Sequence, residues 1–395
     1  SRDGRPLHLV RFGAGARRVL WYAGPHANEV AGVATVVELA ERLARRPDAL
    51  AGEVGVDAVL CVDPDAYVRN EAWFAPDIDM AAYYRNFYRP PMDEWPDWDF
   101  PIAYRGLRRA ARLPETAALR TAIELSRPAA MVSLHNGELH GMHGYLRGDA
   151  PRLAGALANL PGRFGFPAEL EPLDAAGETL APGVFAFPDP TSIWDAALAS
   201  GTEDPATLLP LGNSAAAWAQ ERHGTLTVLA EVPHWSFDAP LPAEGTLGEL
   251  ARRTADRLDA GAEEVTGYLS ALVLPRTDPR PGSCRDAANF MRQQAVRLRA
   301  VAEDPAGRAP TTSEDVARLD VMIGRCIPQR YRGQILGAAL DAGAPAALTG
   351  PLVAAFDATM ARLRALPIRA HSFASMVEAQ LAYGFTASDH VAAAG

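Results

Sequence analysis

Two hydrophobic periods alternate along the first half of the chain. Leu7–Phe12 alternates apolar and polar positions, which predicts a strand with one covered face. Gly13–Gly15 turns the chain, and Arg18–Ala23 is a continuous apolar run (RVLWYA) closed by Gly24-Pro25, as in a fully buried strand. From Val30 to Arg46 the spacing becomes helical, with Val33, Val36, Val37, Ala40 and Leu43 on one stripe. Val56–Val62 (VDAVLCV), Ala130–Leu134 (AMVSL) and Thr225–Ala230 (TLTVLA) read as further buried strands, and Pro114–Ser126 as a helix. Between Asp63 and Tyr104 the periodicity disappears into Tyr, Trp, Pro and Asp, which predicts a long ordered loop, usually a functional one.

Alternating strands and helices define an α/β class with a mixed sheet flanked by helices. We assign this domain to residues 1–274, ending with the helical pattern Leu247–Leu274. Residues 275–283 (PRTDPRPGS) read as a Pro-rich linker. Residues 284–395 read as an Ala-rich helical region, a candidate cover for a site or a contact in a homo-oligomer.

Composition narrows the chemistry. The chain has 395 residues, 48% hydrophobic and 22% charged, so a packed core is available. Its net charge of −10 argues against nucleic acid or an anionic membrane as the main partner, because both demand a basic field. The sequence contains no lysine, which removes Schiff-base, pyridoxal-phosphate and P-loop chemistry. Cys61, Cys284 and Cys326 are far apart and form no CxxC pair, so a reducing, cytoplasmic setting is expected and a disulfide framework is not. No run reaches the length of a membrane helix.

Three predicted strands end in residues that can do chemistry. His26-Ala-Asn-Glu29 follows the first buried strand, His135-Asn-Gly-Glu138 the third, and Glu231 the fourth. In open α/β sheets, sites form at the carboxyl ends of strands. HxxE alone is weak, since about half a match per chain arises by chance with nine histidines. A catalytic zinc, however, takes three nitrogen or carboxylate ligands and keeps one position open, which two residues on one turn and a third from a distant strand would satisfy. His140 and His143 follow His135 closely, as alternative ligands or as lining of the same pocket.

Several segments resemble the M14 zinc carboxypeptidases and the aspartoacylase-like branch of that superfamily. WYAGPHANEVAG resembles the HxxE turn, in the HxNExxG form shared with the aspartoacylase and desuccinylase branch. DPDAY resembles NPDGY, YYRNF resembles DLNRNF, and VSLHN resembles the strand bearing the third ligand. GNSAAAWAQERHGTLTVLAEVP resembles the block that ends in the catalytic glutamate. The five segments occur in the family's order and span roughly residues 7–240.

The resemblance implies a carboxypeptidase-like, phosphorylase/hydrolase-like fold and one Zn2+ per chain held by His26, Glu29 and His135. It implies Glu231 as general base and Arg69 as partner of the developing oxyanion. Arg85 would clamp a substrate carboxylate, with Tyr84, Asn86 and Asn136 as further substrate contacts. Three features depart from the family: Tyr84 stands where Asn is usual, residues 199–212 lack the expected tyrosine, and Asn28 replaces an arginine. The implied substrate is a small molecule or short peptide cleaved at an amide next to a free carboxylate. The alternatives are an N-acyl amino acid deacylase and a non-catalytic zinc-binding module of the same fold.

Overall fold

The computed structural model describes residues 1–46, 54–171, 177–199, 205 and 212–394. Contacts divide the chain into two units, Ser1–Val68 with Met92–Ser236 and His371–Gly395, and Arg69–Pro91 with Phe237–Ala370.

The first unit is built on an eight-stranded mixed sheet. Its strands are β1 (Leu9–Phe12), β2 (Arg17–Ala23), β3 (Val54–Val59), β4 (Ala130–His135), β5 (His143–Arg147), β6 (Thr179–Ala181), β7 (Val184–Ala186) and β8 (Leu226–Glu231). Their order across the sheet is β1-β3-β2-β4-β8-β5-β7-β6. The four central strands β3, β2, β4 and β8 run parallel. They are also the apolar runs of the sequence, as expected of strands covered on both faces. Beyond β8 the direction reverses, because β5 pairs antiparallel with it.

Alternation assigns each residue of β2 to a face. Leu20 and Tyr22, with Met131, pack on Leu119 and Ile123 of the helix Pro114–Ser126 and on Ala215 and Ala219 of the helix Ala215–His223. Trp21 points to the other face, against the terminal helix Phe373–Ala393, where its ring is edge-on to Phe385 with centroids 5.7 Å apart. Gly384 makes this contact close enough: a Cβ there would lie 1.9 Å from the Trp21 ring. We expect Gly384→Ala to destabilise the protein by about 3 kcal/mol, read as a lower midpoint in denaturant, through overpacking against a fully buried ring. An unchanged midpoint would contradict that packing.

The second unit is helical. Leu247–Ala271 opens on a capping box formed by Thr246 and Glu249. It packs along Arg280–Glu303, and Ile327–Asp341 packs on the short helix Met80–Asn86.

The units differ from the boundary expected at 275–283. That Pro-rich stretch joins two packed helices of one unit, Leu247–Ala271 and Arg280–Glu303. The last helix belongs with the sheet because its face seats Trp21. The segment expected as a long loop carries short helices at Pro64–Tyr67, Val68–Trp73 and Met80–Asn86, then a hairpin of Ile102–Tyr104 with Leu107–Arg109. Asp63 and Asp79 cap two of these helices by accepting from Ala66 N and Ala82 N, a local signal that periodicity does not register.

Asp63 also yields a pH prediction. Burial pushes its carboxyl up to about 6, the bond from Ala66 N and the Arg2 charge oppose that, and Glu115 and Asp65 add to it. Between the ordinary aspartate range and pH 6 the folded chain keeps a proton that the unfolded chain has lost. Stability therefore falls as pH rises through that window, by roughly 2–3 kcal/mol from this group. Asp63→Asn, which keeps the capping oxygen, is expected to flatten the stability–pH curve between pH 4 and 6. A slope identical to the parent's would refute the assignment.

Candidate metal centre and active site

The parallel strands β2, β4 and β8 end side by side, and each delivers one part of the site. β2 stops at Ala23, and Gly24 turns the chain at φ +64°, where a Cβ would lie 2.9 Å from Cys61 Sγ. The turn presents His26, and Glu29 stands just before the helix Val30–Arg45. β4 ends in His135 and β8 in Glu231, and the register pairs the two residues directly. Paired residues of neighbouring strands share a face.

His26, Glu29 and His135 converge. His26 Nδ1 lies 2.8 Å from Glu29 Oε1, His135 Nδ1 lies 2.8 Å from Glu29 Oε2, and the two Nδ1 atoms are 3.2 Å apart. All three residues are buried, and their ligating atoms lie within 4.8 Å of one another. Nitrogen ligands at about 2.0–2.1 Å from a tetrahedral zinc are separated by roughly 3.3 Å, so the Nδ1 spacing fits such an ion. The donor set, two imidazoles and a carboxylate, is the type found in catalytic zinc sites.

The surroundings fix these side chains. Ser133 Oγ lies 2.7 Å from His135 Nε2, and Asp97 Oδ1 lies 3.5 Å from His26 Nε2. Contacts of this kind to the second ring nitrogen set tautomer and ring orientation in metal sites. Gln380 Nε2 donates to the His135 carbonyl at 2.8 Å, and its Oε1 accepts from Thr35 Oγ1 at 2.7 Å. Asn136 Oδ1 accepts from Ala31 N at 3.0 Å, and its Nδ2 donates to the Val232 carbonyl at 2.9 Å. Its amide thus ties the turn after β4 to the helix after β2 and to the end of β8.

Electrostatics match the donor set. Burial alone would raise the Glu29 carboxyl, but the charges and hydrogen bonds of His26 and His135 outweigh it and hold the group well below its ordinary value. For Asp97, burial also raises the carboxyl, and His26 and then His135 bring it below the usual range. His234, wholly buried, is pushed down to about 4 by desolvation, with Glu138 and Glu29 opposing. Tyr383 is raised by burial and then by the nearby charge of Glu231.

The structure brings together His26, Glu29, His135, Glu231 and Asn136 in the first unit. Arg69, Tyr84, Arg85 and Asn86 lie in the second unit. There, Arg69 stands over the Tyr88 ring and Arg85 over the Phe356 ring, 3.6 Å from Asp357. Asn86 Nδ2 donates to the Ala82 carbonyl, and Tyr84 is fully buried. Of residues 199–212, where a tyrosine was expected, only 199, 205 and 212 are among the described residues.

Asp97, Ser133, His234 and Gln380 were not found from sequence. Ser133 was accessible in principle, since a residue two before a ligand on a strand shares its face. Asp97, in an aperiodic run, offered no such signal.

No family model matches the chain. No curated protein matches it either. Among solved structures it is similar to a metallo-carboxypeptidase from Burkholderia cenocepacia, with 16% identity, 76% of this chain and 63% of that one covered, and TM-score 0.32. It is similar to carboxypeptidase A from Helicoverpa armigera, with 13% identity, coverage of 76% and 66%, and TM-score 0.33. It is also similar to murein-tripeptide amidase MpaA from Escherichia coli O157, with 22% identity, coverage of 58% and 79%, and TM-score 0.27.

Proposed function

We propose that this chain is a zinc-dependent hydrolase that cleaves an amide bond next to a free carboxylate in a small peptide or peptide-like molecule. One observation supports the reading above others: His26 Nδ1, Glu29 and His135 Nδ1 face a common point, and Glu231 is paired in register with His135. A bound zinc would supply a water acidified to a pKa of about 7 and a Lewis acid for the carbonyl. Glu231 accepts the proton of the attacking water on its carboxylate and passes it to the leaving nitrogen. Its burial, at 8% exposure, keeps bulk water from competing for that proton. Asp97 and Ser133 hold the two imidazoles in the orientation that turns both Nδ1 atoms inward.

The test begins with metal content and proceeds to turnover. Purified protein is expected to hold about one zinc per chain and to release an amino acid from short peptides with a free C-terminus. Protein that takes up no zinc, at any stoichiometry, would defeat the reading.

N-acyl amino acid deacylation is the second reading, carried by the HANEVAG form of the turn. The glycine of that form has a packing explanation, since a Cβ at Gly32 would lie 2.9 Å from the Leu134 carbonyl. Release of acetate or succinate from acylated amino acids, without release of amino acids from peptides, would favour this alternative.

A further inference from the structure

Arg2 joins three segments that lie far apart in the chain. Its guanidinium pairs with Glu94 and lies 3.4 Å from Asp63 Oδ2 and 3.7 Å from Glu115 Oε1. Its main-chain N donates to the same Glu115 oxygen at 2.7 Å. The side chains of Asp63 and Glu115 are fully buried, whereas those of Arg2 and Glu94 are partly exposed. Among the described residues, Arg2 is the one cation within ion-pair reach of these three carboxylates. A buried carboxylate without a counter-charge is costly, so the position of Arg2 is set by chemistry. The residues around it are moored as well: Ser1 Oγ, Asp3 N and Arg5 Nη1 all donate to Asp65, at 2.8, 2.7 and 2.7 Å.

Each of the three segments supports His26. Next to Asp63, Val62 N donates to the Ala23 carbonyl, and Asp63 N donates to the Gly24 carbonyl, both at 2.9 Å. These bonds hold the turn that presents His26. Glu94 precedes Trp95, whose ring centroid is 4.7 Å from that of His26, and Asp97 Oδ1 is 3.5 Å from His26 Nε2. Glu115 precedes Thr116, whose Oγ1 donates to the Pro96 carbonyl at 2.9 Å, between those two contacts. One planar fork of donors thus meets the turn, the 92–98 segment and the helix Pro114–Ser126 at once. A lysine ammonium, a compact point charge, would not span them as well.

We propose that Arg2 is a positioning residue for the metal centre: it clasps these three segments together and through them fixes the His26 imidazole. The proposal rests on the zinc reading and adds the residue that keeps the ligand's supports in place.

The test uses the full chain as parent, Arg2→Gln, Arg2→Lys and Glu94→Gln, above the pH of about 6 at which Asp63 titrates. Hydrogen exchange in the zinc-free chain gives a local and a global readout. The amides of Trp95 and Trp98, bonded to the Met92 and Trp95 carbonyls, report the 92–98 segment. The amides of Val132 and Val228, paired in the middle of β4 and β8, report the fold as a whole. Arg2→Gln and Glu94→Gln are expected to speed exchange at the first pair by about tenfold more than at the second. Zinc affinity, from chelator competition, should fall about 3–10-fold, less than the roughly 10–100-fold for a group that touches a ligand directly. Arg2→Lys should recover part of both effects.

Glu94 is partly exposed, so Glu94→Gln leaves no buried charge unpaired and carries the test if Arg2→Gln fails to fold. Exchange that rises equally at both pairs, or zinc affinity equal to the parent's in the variants, would overturn the clasp while leaving the metal reading intact. A parent that binds no zinc, with variants loosened only at Trp95 and Trp98, keeps Arg2 as the clasp on His26 and loses the metal reading.

Discussion

Glu231→Gln is expected to retain zinc and to lose turnover by about 10²–10⁴-fold, the range for removing a positioned general base. Glu231 lies outside the His26, Glu29 and His135 cluster, so zinc content should stay at the parent level. The amide is nearly isosteric with the carboxylate but cannot accept the water's proton. The loss should therefore appear in kcat, with KM little changed. Metal analysis and steady-state kinetics on one preparation check both halves. A glutamine variant within tenfold of the parent would remove Glu231 from the mechanism.

Glu29→Ala is expected to lose the metal itself. Glu29 is the hub of the cluster, with one carboxylate oxygen 2.8 Å from each histidine. Without it, two imidazoles face each other with no anion between them, and zinc affinity should fall by well over a hundredfold. Ser133→Ala provides the scale. It removes only the contact on His135 Nε2 and should weaken zinc binding by about 10–100-fold, as for other outer-shell partners. Competition with a chromophoric chelator measures both. An alanine at position 29 that binds zinc as tightly as the parent would show that the three side chains are not a metal site.

The sequence disclosed those parts of the centre that an uninterrupted chain segment carries. Arg18–Ala23, Ala130–Leu134 and Thr225–Ala230 are apolar because their strands are covered on both faces, and each runs directly into His26, His135 or Glu231. Which strands would be neighbours was not legible, since parallel pairing brings together residues a hundred positions apart. Asp97 escaped notice for the same reason: its link to His26 is spatial, and the Trp-Pro-Asp-Trp run around it has no period. The Tyr-Arg-Asn-Phe segment was legible as a motif; its helix, Met80–Asn86, falls in the second unit, and a four-residue match does not encode which unit receives it. The last two strands of the sheet, β7 and β6, three residues each, are too short to produce an alternation that stands out.

The terminal helix has a consequence for biogenesis. A ribosome makes residues 26, 29 and 135 long before residue 380, yet Gln380 supplies the amide that grips the main chain of His135 and the hydroxyl of Thr35. Until the last stretch emerges, Trp21 has no cover on that side and the third ligand lacks its brace. Such late closure between distant parts of a chain slows folding and leaves an exposed apolar face meanwhile. Full zinc affinity should accordingly be a property of the finished polypeptide, and a nascent chain stopped short of residue 373 should hold the ion more loosely than its completed counterpart.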